Sequence, residues 1–233
     1  LCCSSIYIWN DISDINIDRL HPEKKKRIIA SNKISLKNAF IYSLLLLCIS
    51  LYYFFFYQKD LILLVIYYIV LNLFYNFFIK KIIILDTLLI SSLYVIRIYI
   101  GSQIINVPTS IWIVFVTFFT TIFLIFCKRK DPISKINYNK KILDILIVVT
   151  AIISILIYIF YTFSNNVFIQ SNLIYISSVF VLLGFIRYIK IIFNKNNNNF
   201  FDPTFIILKD KILQLIIICW VVNIFIAIII GFN

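Results

Sequence analysis

The chain has 233 residues, of which 62% are hydrophobic and 14% charged, with a net charge of +12 and a mean hydropathy of +1.00. That composition excludes a soluble globular domain. Five cysteines without a CxxC pair and a single histidine, His21, argue against a disulfide framework, a His-cluster metal site and most Ser/Cys–His nucleophiles.

Residues 1–9 read as the last two turns of a spanning helix. No methionine occurs anywhere in the sequence, so the expectation is a chain lacking its N-terminus. The polar stretch 10–27 follows. Taken as one helix, it places Asp11, Asp14 and Asp18 on one face at i, i+3 and i+7, with Asn10 stacked beside Asp14 and Asp18. Three like charges on one stripe repel one another, and a hard divalent cation reverses that sign. Mg²⁺ takes oxygen ligands and is usually held by one or two carboxylates plus substrate phosphates. The helix must end before Pro22, because the residue preceding proline is pushed out of the α region. Lys24, Lys25, Lys26 and Arg27 then suit phosphate oxygens or anionic headgroups. The bland alternative is a solvated loop whose acids and bases merely balance.

Seven apolar stretches come next, at 38–57, 61–79, 85–105, 109–127, 142–163, 173–193 and 212–231. Each can cross a bilayer as a helix of roughly 20 residues. They are apolar all round, unlike the alternating strands of a membrane barrel. Ser35 is a plausible cap for the first, and Gln58-Lys59-Asp60 a tight outer turn after it. Asp86 heads the third span, where the macrodipole alone would favour a carboxylate. Arg97 lies well inside that span and costs several kcal/mol unless it has a partner or a wet cavity. Two partners are open to it, a substrate phosphate or a carboxylate on another helix. The phosphate is the expectation, because no acid lies deep in any span. Arg187 sits near the inner end of its span, and the asparagine run 196–199 is compositional. No repeat of fixed period is visible.

Basic residues alternate between loops. They crowd the acidic stretch, Lys80-Lys81, the loop 128–141 and the segment 190–211, and are nearly missing from the loops between. By the positive-inside rule the basic loops face the cytoplasm, placing the polar stretch at the inner face of a cell membrane. Charge scattered over four membrane loops argues against nucleic acid as a partner.

Asn10-Asp11-x-x-Asp14-x-x-x-Asp18 resembles the first aspartate motif of the UbiA superfamily of intramembrane prenyltransferases. Further similar stretches are Asp18-Arg19-x-His21-Pro22-x-Lys24 with Arg27-x-Ile29-Ala30-Ser31, Lys80 with Asp86, Tyr94 to Arg97, Lys128-Arg129, Arg187-Tyr188 and Lys209-Asp210. Together they resemble its polyprenyl-phosphate phosphoribosyltransferase branch. Ile28 stands where that branch usually has proline, and Asn32 where it has glycine. The resemblance implies an all-α polytopic bundle in a single domain, 1–233, with seven complete spans and a partial one of the family's nine. It implies transfer of 5-phosphoribose from phosphoribosyl diphosphate to a polyprenyl (decaprenyl-type) phosphate with Mg²⁺ as cofactor. Asp11, Asp14 and Asp18 would hold the metal with Asn10 in support, and Arg19, Lys24, Lys80, Arg97, Lys128, Arg129 and Arg187 would bind substrate. Prenyl-transferring members carry a second acidic motif where this chain has Lys128-Arg129-Lys130-Asp131. A prenyltransferase acting on an aromatic acceptor is the runner-up. A carrier is disfavoured because transporters tend to show inverted repeats and Gly/Pro-broken helices, and this chain has 3 Gly and 4 Pro.

Overall fold

The computed structural model describes residues 1–21, 24–79, 82, 84–131, 139–164, 173–194 and 203–231. Among them every regular element is helical: α1 (Cys2–Ser13), α2 (Ile15–Leu20), α3 (Leu36–Tyr57), α4 (Ile62–Phe74), α5 (Leu85–Ile104), α6 (Ile111–Arg129), α7 (Lys140–Phe163), α8 (Ile174–Phe193), α9 (Pro203–Lys209) and α10 (Lys211–Gly231). A lipid-bathed backbone must satisfy its own amides, which leaves helices as the outcome for all-round apolar runs. Among the described residues seven helical segments are long and apolar enough to span a membrane, and each bound falls within two residues of its expected place.

The ends follow from local chemistry. Ser35 Oγ accepts from the Asn38 amide at 3.3 Å and starts α3, as an N-cap serine does. At the other end of α5, the Asn106 amide donates to Gln103 O and the Val107 amide to Ser102 O, with Asn106 at φ 54°. That is a Schellman closure with asparagine in the left-handed position, and Pro108 bars any continuation.

The chain divides into two compact units: residues 1–89 with 96–108, and residues 90–95 with 109–233. In the first unit α1 packs on α3. Ser5, Ala39, Ser43 and Ser50 are all buried; small side chains let membrane helices approach closely. Ser5 Oγ donates to the Ser43 carbonyl at 2.8 Å, Trp9 Nε1 donates to Ser43 Oγ at 2.6 Å, and the Trp9 ring stacks on Phe40. From α4, the Tyr68 hydroxyl reaches Cys3 Sγ at 3.6 Å.

The second unit packs α6 on α7, α7 on α8 and α8 on α10. Its core is apolar, centred on Phe123, Phe126, Cys127, Ile147 and Tyr188. Polar threads fix the register: Tyr158 and Ser177 hydroxyls lie 3.0 Å apart, and Trp220 Nε1 donates to the Tyr158 hydroxyl at 3.0 Å. Interhelical bonds of this kind contribute roughly 0.6–2 kcal/mol each in a membrane. A cavity of ≈ 330 Å³ lies among α6, α8 and α10, walled by Phe123, Phe185, Ile216 and Ile217, with the Cα of Gly184 leaving room at one side.

Candidate functional site

The polar stretch does not run as one helix. It breaks at Asp14 (φ −97°, ψ 2°), which closes α1 and opens α2. This corrects the expectation of a single stripe holding all three aspartates. Aspartate is a weak helix interior residue because its carboxylate competes for nearby amides. The second expected boundary holds: α2 ends at Leu20, and His21 is extended (φ −84°, ψ 132°), as its place before Pro22 requires.

Two of the three carboxylates converge. Arg27 Nη1 donates to Asp11 Oδ1 at 2.7 Å and to Asp18 Oδ2 at 3.0 Å. The Asp18 side chain is 6% exposed, whereas that of Asp11 is 36% exposed. Among the described residues no group of three His, Cys, Asp or Glu side chains is gathered as a metal site would need, so Asp14 does not make a third here. Asn10 Oδ1 is buried and accepts no hydrogen bond among the described residues. Two facing carboxylates and an unsatisfied amide oxygen fit a hard cation completed by substrate phosphate.

Arg27 is aimed by the turn that follows it. The Ser31 amide donates to Arg27 O at 2.8 Å, and the Asn32 and Lys33 amides close back on Ile29 O and Ile28 O, both at 3.1 Å. Asn32 is left-handed at φ 59°, in a second Schellman-type closure. Arg19 clasps the same turn: Nε donates to Ala30 O at 3.2 Å and Nη2 to Asn32 Oδ1 at 2.6 Å. The structure thus gives Arg19, expected at substrate, a loop-holding contact. Asn32 stands where the resemblance has glycine, in a left-handed conformation that glycine adopts readily. Asn32→Val should lose about 1–2 kcal/mol, the cost of a left-handed backbone for a residue with a bulky Cβ, while Asn32→Gly should stay within a few tenths. Thermal melts of the purified protein check this.

Lys24 is half-buried in the short turn Lys24–Lys26. Its amide donates to His21 Nδ1 at 3.3 Å, so the lone histidine serves as a buried backbone acceptor. Lys80 lies outside the described residues. Asp86 is fully buried in the first turn of α5 and accepts from Thr87 Oγ1 at 3.1 Å. Arg97 meets a partner outside the two expected: Nη1 donates to the Tyr7 hydroxyl at 2.8 Å, with the guanidinium 5.8 Å from the ring centroid.

In the second unit Lys128 is exposed and Arg129 half-buried at the end of α6, where cations suit the helix dipole. Lys130 pairs with Asp144 at 2.8 Å and sits 3.5 Å over the Phe193 ring. Arg187 grips Asp210 with Nε at 3.1 Å and Nη2 at 2.6 Å. Asp210 Oδ1 also accepts the Leu213 amide at 2.7 Å, capping α10 while holding α8. The Arg187 hydrogen bonds keep the Asp210 carboxyl below the usual carboxylate range. A depressed folded-state pKa stabilises the protein above the unfolded value of about 4 and loses that contribution as pH falls through the folded one. Asp210→Asn should therefore cost about 2 kcal/mol at neutral pH, with the gap to wild type narrowing in melts taken progressively below pH 4.

Tyr7 and the Asp210 cap were missed; Arg27 was read with the neighbouring lysines as a cation for phosphate, and its pairing with Asp11 and Asp18 was not foreseen. For Arg27 the signal was present: it is a forked cation immediately past an acidic motif in need of one.

The chain's residues 1–208 match the model of the UbiA prenyltransferase family. It is 24% identical over 243 aligned positions to decaprenyl-phosphate phosphoribosyltransferase of Mycobacterium tuberculosis, covering 99% of this chain and 79% of that protein. The enzyme of the same name from Mycolicibacterium smegmatis is 29% identical over 129 positions, 55% of this chain and 41% of its own. The uncharacterized protein y4nM of Sinorhizobium fredii is 30% identical over 141 positions, 60% of this chain; the chain spans only 27% of that longer protein. Multi-pass helices, the aspartate motif and a family match over most of the length agree: this chain belongs to the UbiA prenyltransferase family.

Proposed function

We propose that the chain is an Mg²⁺-dependent transferase that moves 5-phosphoribose from phosphoribosyl diphosphate onto a polyprenyl phosphate, releasing diphosphate, at the cytoplasmic face of the cell membrane. The observation that carries this reading is the contrast between two segments. One aspartate motif presents facing carboxylates at Asp11 and Asp18, whereas the segment where prenyl-transferring members have their second acidic motif ends α6 in Lys128-Arg129 and commits Lys130 to Asp144. The names of the mycobacterial relatives support the same branch.

Asp11 and Asp18 would hold the metal with Asn10 contributing an oxygen donor, and Asp14, which the resemblance also makes a ligand, would have to move to join them. Bound there, the ion would supply electrostatic stabilisation of the departing diphosphate. Lys24, Lys80, Lys128 and Arg129 would offer charge-assisted hydrogen bonds to phosphate oxygens. The nucleophile is a lipid phosphate oxygen, already ionised at neutral pH, so no side chain need remove a proton. Attack at C1 forms the new C–O bond as the bond to diphosphate breaks, and the electron pair leaves with diphosphate. His21, with Nδ1 engaged by a backbone amide, is not required as a base.

Membranes containing the protein, given Mg²⁺, polyprenyl phosphate and phosphoribosyl diphosphate labelled in the ribose, should place label in the lipid fraction. Label entering an aromatic product from a prenyl diphosphate instead would favour conventional prenyl transfer and overturn this reading.

A further inference from the structure

We propose that Arg27 is the built-in counter-cation of the aspartate site, exchanged for the divalent ion when that ion binds and thereby released to bind phosphate. The inference rests on the metal-site reading above. Asp18 is buried, and an unpaired carboxylate at such a position is strongly destabilising; something cationic must face it before any metal arrives. Arg27 meets that need through one atom. Its Nη1 lies 2.7 Å from Asp11 and 3.0 Å from Asp18, the point between two carboxylates where a small cation would sit. A cation held by the same two carboxylates would have to displace the guanidinium nitrogen.

The rest of the fork is uncommitted. Among the described residues Arg27 Nε and Nη2 make no hydrogen bond, although Arg19 and Arg187 each use both of theirs. The side chain is 37% exposed, which gives it a way out of the site. Its backbone is anchored by the turn closed at Asn32, so a released side chain stays within reach. A guanidinium with Nε and Nη2 open presents the bidentate geometry that phosphate oxygens take. The acidic site therefore keeps its carboxylates paired with a cation in the metal-free state, and acquires a phosphate ligand on loading.

The test uses the purified full chain in detergent, with Mn²⁺ as the metal probe and inorganic diphosphate as the phosphate probe, both without lipid substrate. Arg27→Gln should bind Mn²⁺ about tenfold more tightly than wild type, within the usual range of coupling between sites, and should lose affinity for diphosphate in the presence of Mn²⁺. Arg27→Lys should restore the competition with Mn²⁺ but only part of the diphosphate affinity. In the unmutated protein, Mn²⁺ should raise the rate at which phenylglyoxal modifies Arg27, mapped by mass spectrometry, and diphosphate should then suppress it; this arm holds even if the Gln variant fails to fold. Unchanged or weaker Mn²⁺ binding in a folded Arg27→Gln, or Arg27 reactivity indifferent to saturating Mn²⁺, overturns the exchange. Failure of wild type to bind Mn²⁺ at all overturns it together with the metal-site reading itself, and is distinguishable because Asp11→Asn then changes nothing in the titration.

Discussion

Asp18→Asn is expected to lower turnover at least 100-fold while the protein still accumulates in the membrane. Removing one hard oxygen anion from a cation site weakens the stabilisation of the leaving diphosphate, and a factor of 100 corresponds to about 2.7 kcal/mol of barrier. Burial adds a second, smaller effect at this position. The variant retains an amide oxygen facing Arg27 but loses a charge-assisted bond, so stability should fall by about 1–3 kcal/mol. Asp11 is more than a third exposed; Asp11→Asn should show the same catalytic loss with little change in melting temperature. Asp14→Asn separates resemblance from geometry. A comparable loss means Asp14 joins the pair when substrate and metal bind, and near-normal turnover means that Asp11 and Asp18 suffice. Measuring kcat and melting temperature side by side for the three variants decides it, and full activity in Asp18→Asn would end the metal-site reading.

Arg97→Gln is expected to cut turnover by about 100-fold and to lower the melting temperature by a few degrees at most. The Tyr7 hydroxyl orients the guanidinium at 2.8 Å, but a neutral hydroxyl does not cancel its charge. Breaking a buried ion pair is damaging because it leaves one charge uncompensated, whereas the hydroxyl that Arg97→Gln leaves behind at Tyr7 costs less. The substitution also relieves the desolvation of a cation within a span. A substrate phosphate would bring a negative charge beside the guanidinium. Tyr7→Phe should behave in the opposite sense, losing stability through the lost acceptor while retaining more activity than Arg97→Gln. Melting temperatures with and without phosphoribosyl diphosphate check the assignment. Ligand stabilisation that survives Arg97→Gln undiminished would place Arg97 outside substrate contact.

The spans were legible because lipid imposes one rule on every residue facing it, and a run of twenty apolar side chains has no other outcome. Ser35 and the residue before Pro22 were legible for a similar reason: each acts within a single turn of chain. The aspartate face was not. Spacing of i, i+3 and i+7 shows where side chains would point on a continuous helix, but not that Asp14 interrupts it. Arg27 reaches back nine residues to Asp18 and sixteen to Asp11, from a turn that closes at left-handed Asn32 and is held by Arg19. Asn32 stands where the resemblance has glycine, and asparagine is among the non-glycine residues best able to hold a positive φ. Arg187 was assigned to substrate by the resemblance. Its contact with Asp210, 23 residues away, depends on how α9 and α10 return to α8, which no local pattern encodes.

The bond between Tyr7 and Arg97 bears on how the protein enters the membrane. Among the seven spans α5 is the least hydropathic, and on insertion scales a central arginine adds about 2.5–3.5 kcal/mol against partitioning. As a nascent segment it is therefore a poor candidate to leave the translocon by itself. Tyr7 lies 90 residues earlier in the chain, so α1 is synthesised first and can be waiting when α5 emerges. Correct topology of this span then becomes a matter of helix order during translation, with an early helix chaperoning a late one, and variants at Tyr7 would be read first as misinserted chains and only afterwards as slow enzymes.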